Sequence, residues 1–108
     1  MPQLRFHAVS KDQINTAAHA MTTELAQLVG CAREHFVLEH IDSDYFWDGE
    51  KVIGYPFVEV YCFDRGEQVF DKMAESITHH MLAAGCPSVD VAFMLLERRR
   101  YYEDGKHL

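Results

Sequence analysis

Apolar and polar positions alternate at the start of the chain. From Gln3 to Val9, Leu4, Phe6 and Ala8 fall on one side and Gln3, Arg5 and His7 on the other, the period of a strand with one buried face. Ser10 followed three residues later by Gln13 has the form of a capping box, so a helix starts there. Ile14, Ala17, Ala18, Met21, Leu25, Leu28 and Val29 recur at helical spacing and Gly30 supplies the stop. His35–Ile41 reads as a second strand. Asp42–Tyr55 is polar and aromatic with Gly49 and Gly54, the composition of a turn or short hairpin within a long connection. The plan then repeats: an apolar strand over Phe57–Phe63, a break at Asp64-Arg65-Gly66, a helix from about Glu67 to Ala84, a stop at Gly85, and a strand over Val89–Leu96. Glu97–Leu108 is a charged, aromatic tail.

The two halves match in detail. Pro2 opens the first strand and Pro56 the third; Gly30-Cys31 ends the first helix and Gly85-Cys86 the second. The expected organisation is one α/β domain over 1–108, with pseudo-repeats at about 2–41 and 56–97. A strand-helix-strand unit of this length pairs its strands in parallel through a right-handed crossover. Two such units give a four-stranded mixed sheet with both helices on one face. In Val89–Leu96 both sides are largely apolar, and a strand of that kind is usually covered twice. With two helices available, the second cover is expected to be another copy of the chain.

Composition narrows the function. The net charge of −7 disfavours a nucleic-acid partner. No apolar run is long enough to span a bilayer and no signal-peptide core precedes the first strand, so a cytoplasmic protein is expected. Three cysteines without a CxxC pair argue against a disulfide framework or a cysteine-rich zinc site. No cofactor or metal is expected.

A proline directly after the initiator Met, heading a β-α-β repeat with a second copy behind it, resembles the tautomerase superfamily over nearly the whole chain. The layout is most similar to the macrophage migration inhibitory factor branch, in which two fused units form a subunit and three subunits surround a channel. The local matches are Pro2, Val29-Gly30, Pro56 and Pro87-Ser88-Val89-Asp90-Val91. Tyr55-Pro56-Phe57-Val58-Glu59-Val60 with Phe63-Asp64-Arg65-Gly66 is similar to an uncharacterised bacterial group of that clan.

The resemblance implies a homotrimer and proton transfer by Pro2 on a small carbonyl or keto acid. Once Met1 is removed, a proline amine titrates near about 7.7–8.0 and lower in dry or cationic surroundings. It can then act as general base and acid, the enolate being held by cations or N–H donors. Arg65, after the third strand, stands where family members hold a substrate carboxylate; an arginine fork suits that task. From Arg98-Arg99-Arg100-Tyr101-Tyr102, Arg99 and Tyr102 are expected to reach a neighbour's pocket, the other reading being an interface or solvated segment. The resemblance also places basic residues where this chain has Cys31, Val37, Asp90 and Ser10-Lys11. These departures support an alternative, an inactive oligomeric binding or interaction protein that keeps the fold.

Seven histidines raise a third idea, metal binding. Glu75 and His79 share a helix face, yet HExxH is absent, and a surface pair is the simpler reading. His7 beside Arg5 could face a pocket or channel. Glu39 and Glu59 within strands require partners if buried, with Arg5 the obvious one. Tyr45, Phe46 and Trp47 form either a plug between subunits or a pocket wall.

Overall fold

The computed structural model describes residues 2–108. In chain order the elements are β1 (Gln3–His7), α1 (Lys11–Val29), β2 (Val37–Ile41), the hairpin β3 (Tyr45–Trp47) and β4 (Glu50–Val52), β5 (Phe57–Phe63), α2 (Glu67–Ala83), β6 (Asp90–Leu96), and a small tail hairpin β7 (Tyr102–Glu103) and β8 (Lys106–His107). Short 3₁₀ turns cover Arg33–His35 and Arg98–Arg100. The main sheet has the order β2-β1-β5-β6, with β1/β2 and β5/β6 parallel and β1/β5 antiparallel. This is the expected mixed four-stranded sheet with two crossover helices.

The ends of the elements follow from named residues. Ser10 caps α1: its Oγ accepts from the Gln13 amide at 3.1 Å and its own amide donates to Gln13 Oε1 at 3.0 Å, the reciprocal pair of a capping box. Gly30, with φ 75°, closes α1, and the Cys31 amide donates to the Ala26 carbonyl at 3.1 Å. The same five-residue reach recurs after α2, where the Cys86 amide donates to the Met81 carbonyl at 3.1 Å beside Gly85 at φ 105°. Both Gly-Cys pairs are thus Schellman-type ends that satisfy the last helical carbonyls. The prolines also correspond. Pro2 O accepts the Val37 amide and Pro56 O accepts the Asp90 amide, each at 3.0 Å. The second strand starts two residues later than the sequence indicates, because Arg33–His35 takes a 3₁₀ turn first.

Both helices lie on one sheet face. Leu4, Phe6, Val58 and Val60 from the central strands meet Met21 and Leu25 of α1 and Met73, Ile77 and Met81 of α2, and all are buried. Phe70 stacks on Phe93 at 4.7 Å between centroids. Across the helix seam, Ser76 and His80 both bond Glu24 Oε1, the latter at 3.2 Å. His80 therefore pairs with α1; Glu75 and His79 line an open groove between the helices. Ser76, then His80, hold the Glu24 carboxyl below its ordinary range against the opposing effect of burial.

The open face departs from expectation. β6 does leave Ala92, Met94 and Leu96 half-buried there, and Leu95, on the helix side, is half exposed at the strand end. The two central strands, however, present Gln3, Arg5, His7, Glu59 and Tyr61. The bare face is a charged centre with apolar flanks, because the alternation of β1 and β5 puts every large aliphatic residue under the helices. Between β2 and β5 the hairpin β3/β4 forms its own two-stranded sheet. Asp48 and Gly49 both have positive φ, 50° and 79°, the type I′ pattern for an Asp-Gly turn.

Candidate active site

The strand directions put four chain segments at one end of the sheet. β1 and β2 begin there and β5 and β6 finish there. Pro2 is buried at the head of β1, fixed by its carbonyl bond to Val37. The β1/β5 register pairs Gln3 with Tyr61, so one step further sets Pro2 beside Cys62. Asp64 and Arg65 follow at the same end. Arg65 is exposed; its charge acts on the Cys62 thiol, which burial pushes up and Arg65 draws partly back. The fold therefore brings Pro2 and Arg65 to a common end of the sheet. Met1, whose removal would free the proline amine, lies outside the described residues.

The tail arrives at this end from β6. Arg99 Nη1 donates to Tyr102 Oη at 3.1 Å, and both residues are exposed. Arg100 is ion-paired with Glu97. Arg98 and Tyr101 pack on Phe63 instead. The Arg98 guanidinium lies 4.7 Å over the Phe63 ring, and Tyr101 meets that ring edge-on at 5.4 Å. Side chains three apart eclipse on a 3₁₀ turn, which explains both pairs: Arg98 with Tyr101 on one side, Arg99 with Tyr102 on the other. Sequence reasoning selected the outward pair; the missed signal was this spacing together with an aromatic residue, Phe63, ending the neighbouring strand. A concavity of about 230 Å³ beside it is lined by Leu95, Leu96, Glu97, Arg100 and Tyr101.

A second cluster occupies the middle of the open face. Arg5 Nε bonds Glu39 Oε1 at 2.9 Å, Gln3 Nε2 reaches the same oxygen at 3.3 Å, and the Arg5 guanidinium lies 5.9 Å over the Tyr61 ring. Glu59 bonds His7 Nε2 through one oxygen, and Tyr61 Oη donates to the other at 3.1 Å. Arg5 thus serves Glu39, whereas Glu59 is served by His7 and Tyr61. The bond from His7, then that from Tyr61, hold the Glu59 carboxyl below its usual range despite partial burial. Gln3, Arg5, Glu39 and Tyr61 line an open concavity of about 360 Å³. Among the described residues no group of three or more His, Cys, Asp or Glu is arranged to hold a metal, and no helix is long and apolar enough to cross a membrane.

Comparison with known proteins accords with this geometry. A domain of unknown function (DUF1904) from Sebaldella termitidis ATCC 33386 is 29% identical and superposes with a TM-score of 0.90 over 100% of both chains. A protein of unknown function from Vibrio cholerae O1 biovar eltor str. N16961 is 36% identical, with a TM-score of 0.85 over 99% of this chain and 87% of that one. Fused 4-OT, solved as an asymmetric trimer, is 10% identical yet reaches a TM-score of 0.82 over 97% of this chain and 94% of its own. The same fold extends to a macrophage migration inhibitory factor-like protein of Entamoeba histolytica, 11% identical, with a TM-score of 0.67 over 99% of this chain and 96% of that one. No curated protein matches the sequence. The fold is the one that fused 4-OT and the macrophage migration inhibitory factor-like protein share, and the match of residues 1–107 to the family model described as a domain of unknown function (DUF1904) places the chain in that family.

Proposed function

We propose that this chain is a cytoplasmic tautomerase-like enzyme, assembled as a homotrimer, in which the amine of Pro2 moves a proton on a small carbonyl or keto acid. One observation carries the reading: Pro2, itself buried, heads β1 at the sheet end where β5 delivers Arg65 and β6 delivers the arginine-rich tail. With Met1 removed, the neutral secondary amine takes a proton from the carbon next to the carbonyl. The C–H pair shifts into the C–C bond and the carbonyl oxygen becomes an enolate. Nearby cations stabilise that charge, and the protonated proline returns the proton at oxygen or at another carbon. Arg65 holds the substrate carboxylate through two parallel hydrogen bonds. Arg99 and Tyr102, joined to each other, reach the pocket of a neighbouring copy. The chemistry uses no cofactor or metal.

Intact mass and phenylpyruvate tautomerisation test this. The mature protein should lack Met1, and Pro2→Ala should lower kcat/KM at least about 100-fold, the lower range for general acid–base catalysis. Equal rates for the two proteins would exclude proline chemistry. The alternative, an inactive oligomeric binding protein, is favoured by Arg5, whose charge is committed to Glu39, and by Val37 and Asp90 standing where the resemblance implies bases. It requires a chain that assembles but gives no rate above background.

A further inference from the structure

The arginines at the Pro2 end are not alike. Arg100 is ion-paired with Glu97, and Arg99 is bonded to Tyr102 Oη. Arg65 is exposed on the turn after β5. Arg98 has its guanidinium held 4.7 Å over the Phe63 ring, and it makes no ion pair among the described residues. This end of the sheet is not basic overall, since Asp64, Glu67, Glu97, Glu103 and Asp104 balance its arginines. What singles out Arg98 is its anchorage and its place.

The sheet order is β2-β1-β5-β6, so β5 separates the strand that delivers the tail from the strand that Pro2 heads. Phe63 pairs with Leu96 of β6. On the other side of β5, Cys62 is level with Pro2, which leaves Phe63 one step beyond. A guanidinium over Phe63 has therefore crossed from β6 onto the strand beside β1, and neighbouring strands lie about 4.8 Å apart. Phe63 is 9% exposed yet stands outside the core cluster beneath the helices. Arg98 and Tyr101, the latter edge-on at 5.4 Å, are its cover. A guanidinium fixed on an aromatic face is positioned in advance and keeps its N–H donors available.

We infer that Arg98 is a catalytic residue of the proposed reaction. It donates hydrogen bonds to the oxygen that becomes the enolate when Pro2 of the same chain takes the proton, and Phe63 is its positioning residue. The inference rests on the proposed function, which names no residue for that oxygen. The roles divide by how firmly each arginine is held. A substrate carboxylate is charged throughout, so an exposed loop arginine such as Arg65 suffices for it. An oxygen whose charge develops during the step is stabilised most by a donor already in place, and ring-held Arg98 is that donor. The 3₁₀ turn thus splits the tail: Arg98 and Tyr101 stay on their own sheet, whereas Arg99 and Tyr102 are exposed toward a neighbouring copy.

Phenylpyruvate tautomerisation by the Met1-free protein tests this. Arg98→Gln should lower kcat about 100- to 1,000-fold, the cost of one lost oxyanion donor, with KM little changed. Arg100→Gln, whose charge Glu97 already neutralises, should keep the wild-type kcat. Phe63→Leu should lower kcat several-fold, and Phe63→Tyr should restore it. Phe63→Leu should add nothing once Arg98 is replaced, because the ring acts only through that arginine. Urea midpoints matching wild type separate these losses from unfolding. Oligomers assembled from Pro2→Ala chains mixed with Arg98→Gln chains hold no chain with both groups, and should stay as slow as either parent. Recovered activity in the mixture overturns the same-chain assignment. Arg98→Gln with wild-type kcat, or with only a raised KM, overturns the role of Arg98 and leaves the proline chemistry standing if Pro2→Ala is inactive. A wild-type rate that Pro2→Ala matches overturns both.

Discussion

Glu59 shows how one residue links the sheet to solution pH. Its carboxylate accepts from His7 and from Tyr61, and these bonds favour the ionised form in the folded chain. The native state therefore binds fewer protons than the unfolded state at pH values just below the ordinary Glu pKa of about 4.3. Stability contributed by Glu59 is present above that pH and is lost as pH falls through the lowered native value. Glu59→Gln should destabilise the protein at pH 7 by about 1.5–3 kcal/mol, the range for hydrogen bonds to a charged group, and should shrink the difference between urea midpoints at pH 7 and pH 4. An unchanged difference at fixed protein concentration would show that Glu59 does not carry the acid dependence. The need of the strand carboxylates for partners was legible in their position. Which partner each takes was not, because the answer depends on β5 pairing antiparallel to β1, which sets His7 and Tyr61 around Glu59 while β2 sets Glu39 against Arg5.

The elements differ in how openly the sequence states them. α1 has a capping box, periodic apolar positions and a Gly-Cys end, and each of these is a local device. Ser10→Ala should therefore cost about 1 kcal/mol, a usual value for a lost N-cap, read as a lower urea midpoint with unchanged slope; a midpoint equal to wild type would assign the cap no role. α2 starts differently. Gly66 at φ 86° stands at its N-cap without a side-chain bond, and Asp64 Oδ1 accepts the Gly66 amide at 2.9 Å, so the Asp64-Arg65-Gly66 break is itself the start signal. The tail hairpin was missed. Asp104-Gly105, with φ values of 53° and 83°, repeats the turn of the β3/β4 hairpin, and the Asp-Gly pair was visible in the sequence. The flanking strands are two residues each, too short for any alternation to register. Arg98 escaped notice for a related reason: three arginines in a row look equivalent until a 3₁₀ turn separates their directions.

At the scale of the molecule, the open sheet face ties stability to assembly. A purely apolar face would make burial by a neighbour simply favourable. Here Arg5, Glu39, His7, Glu59 and Tyr61 stand at its centre, already bonded to one another, with no buried side-chain polar atom left unsatisfied among the described residues. In the isolated subunit Arg5 and Glu39 retain side-chain exposures of 34% and 41%, so water screens the pair and it contributes little there. Covering the face in the proposed trimer removes that water, and the same pair then becomes obligatory, since a carboxylate buried without its partner is costly. Arg5→Met should consequently change the monomer's stability little and weaken assembly by at least about tenfold in dissociation constant, a loss of about 1.4 kcal/mol or more. Sedimentation over a hundredfold range of concentration reads this, alongside melting of a diluted sample. Arg5→Met, Glu39→Met in one chain should recover most of the loss, because replacing both members of a buried pair with apolar groups of similar volume is tolerated where removing one is not. Equal assembly by wild type and Arg5→Met would mean that the polar centre stays in water, as the lining of a channel does, and that the apolar flanks of β2 and β6 alone make the contact between copies.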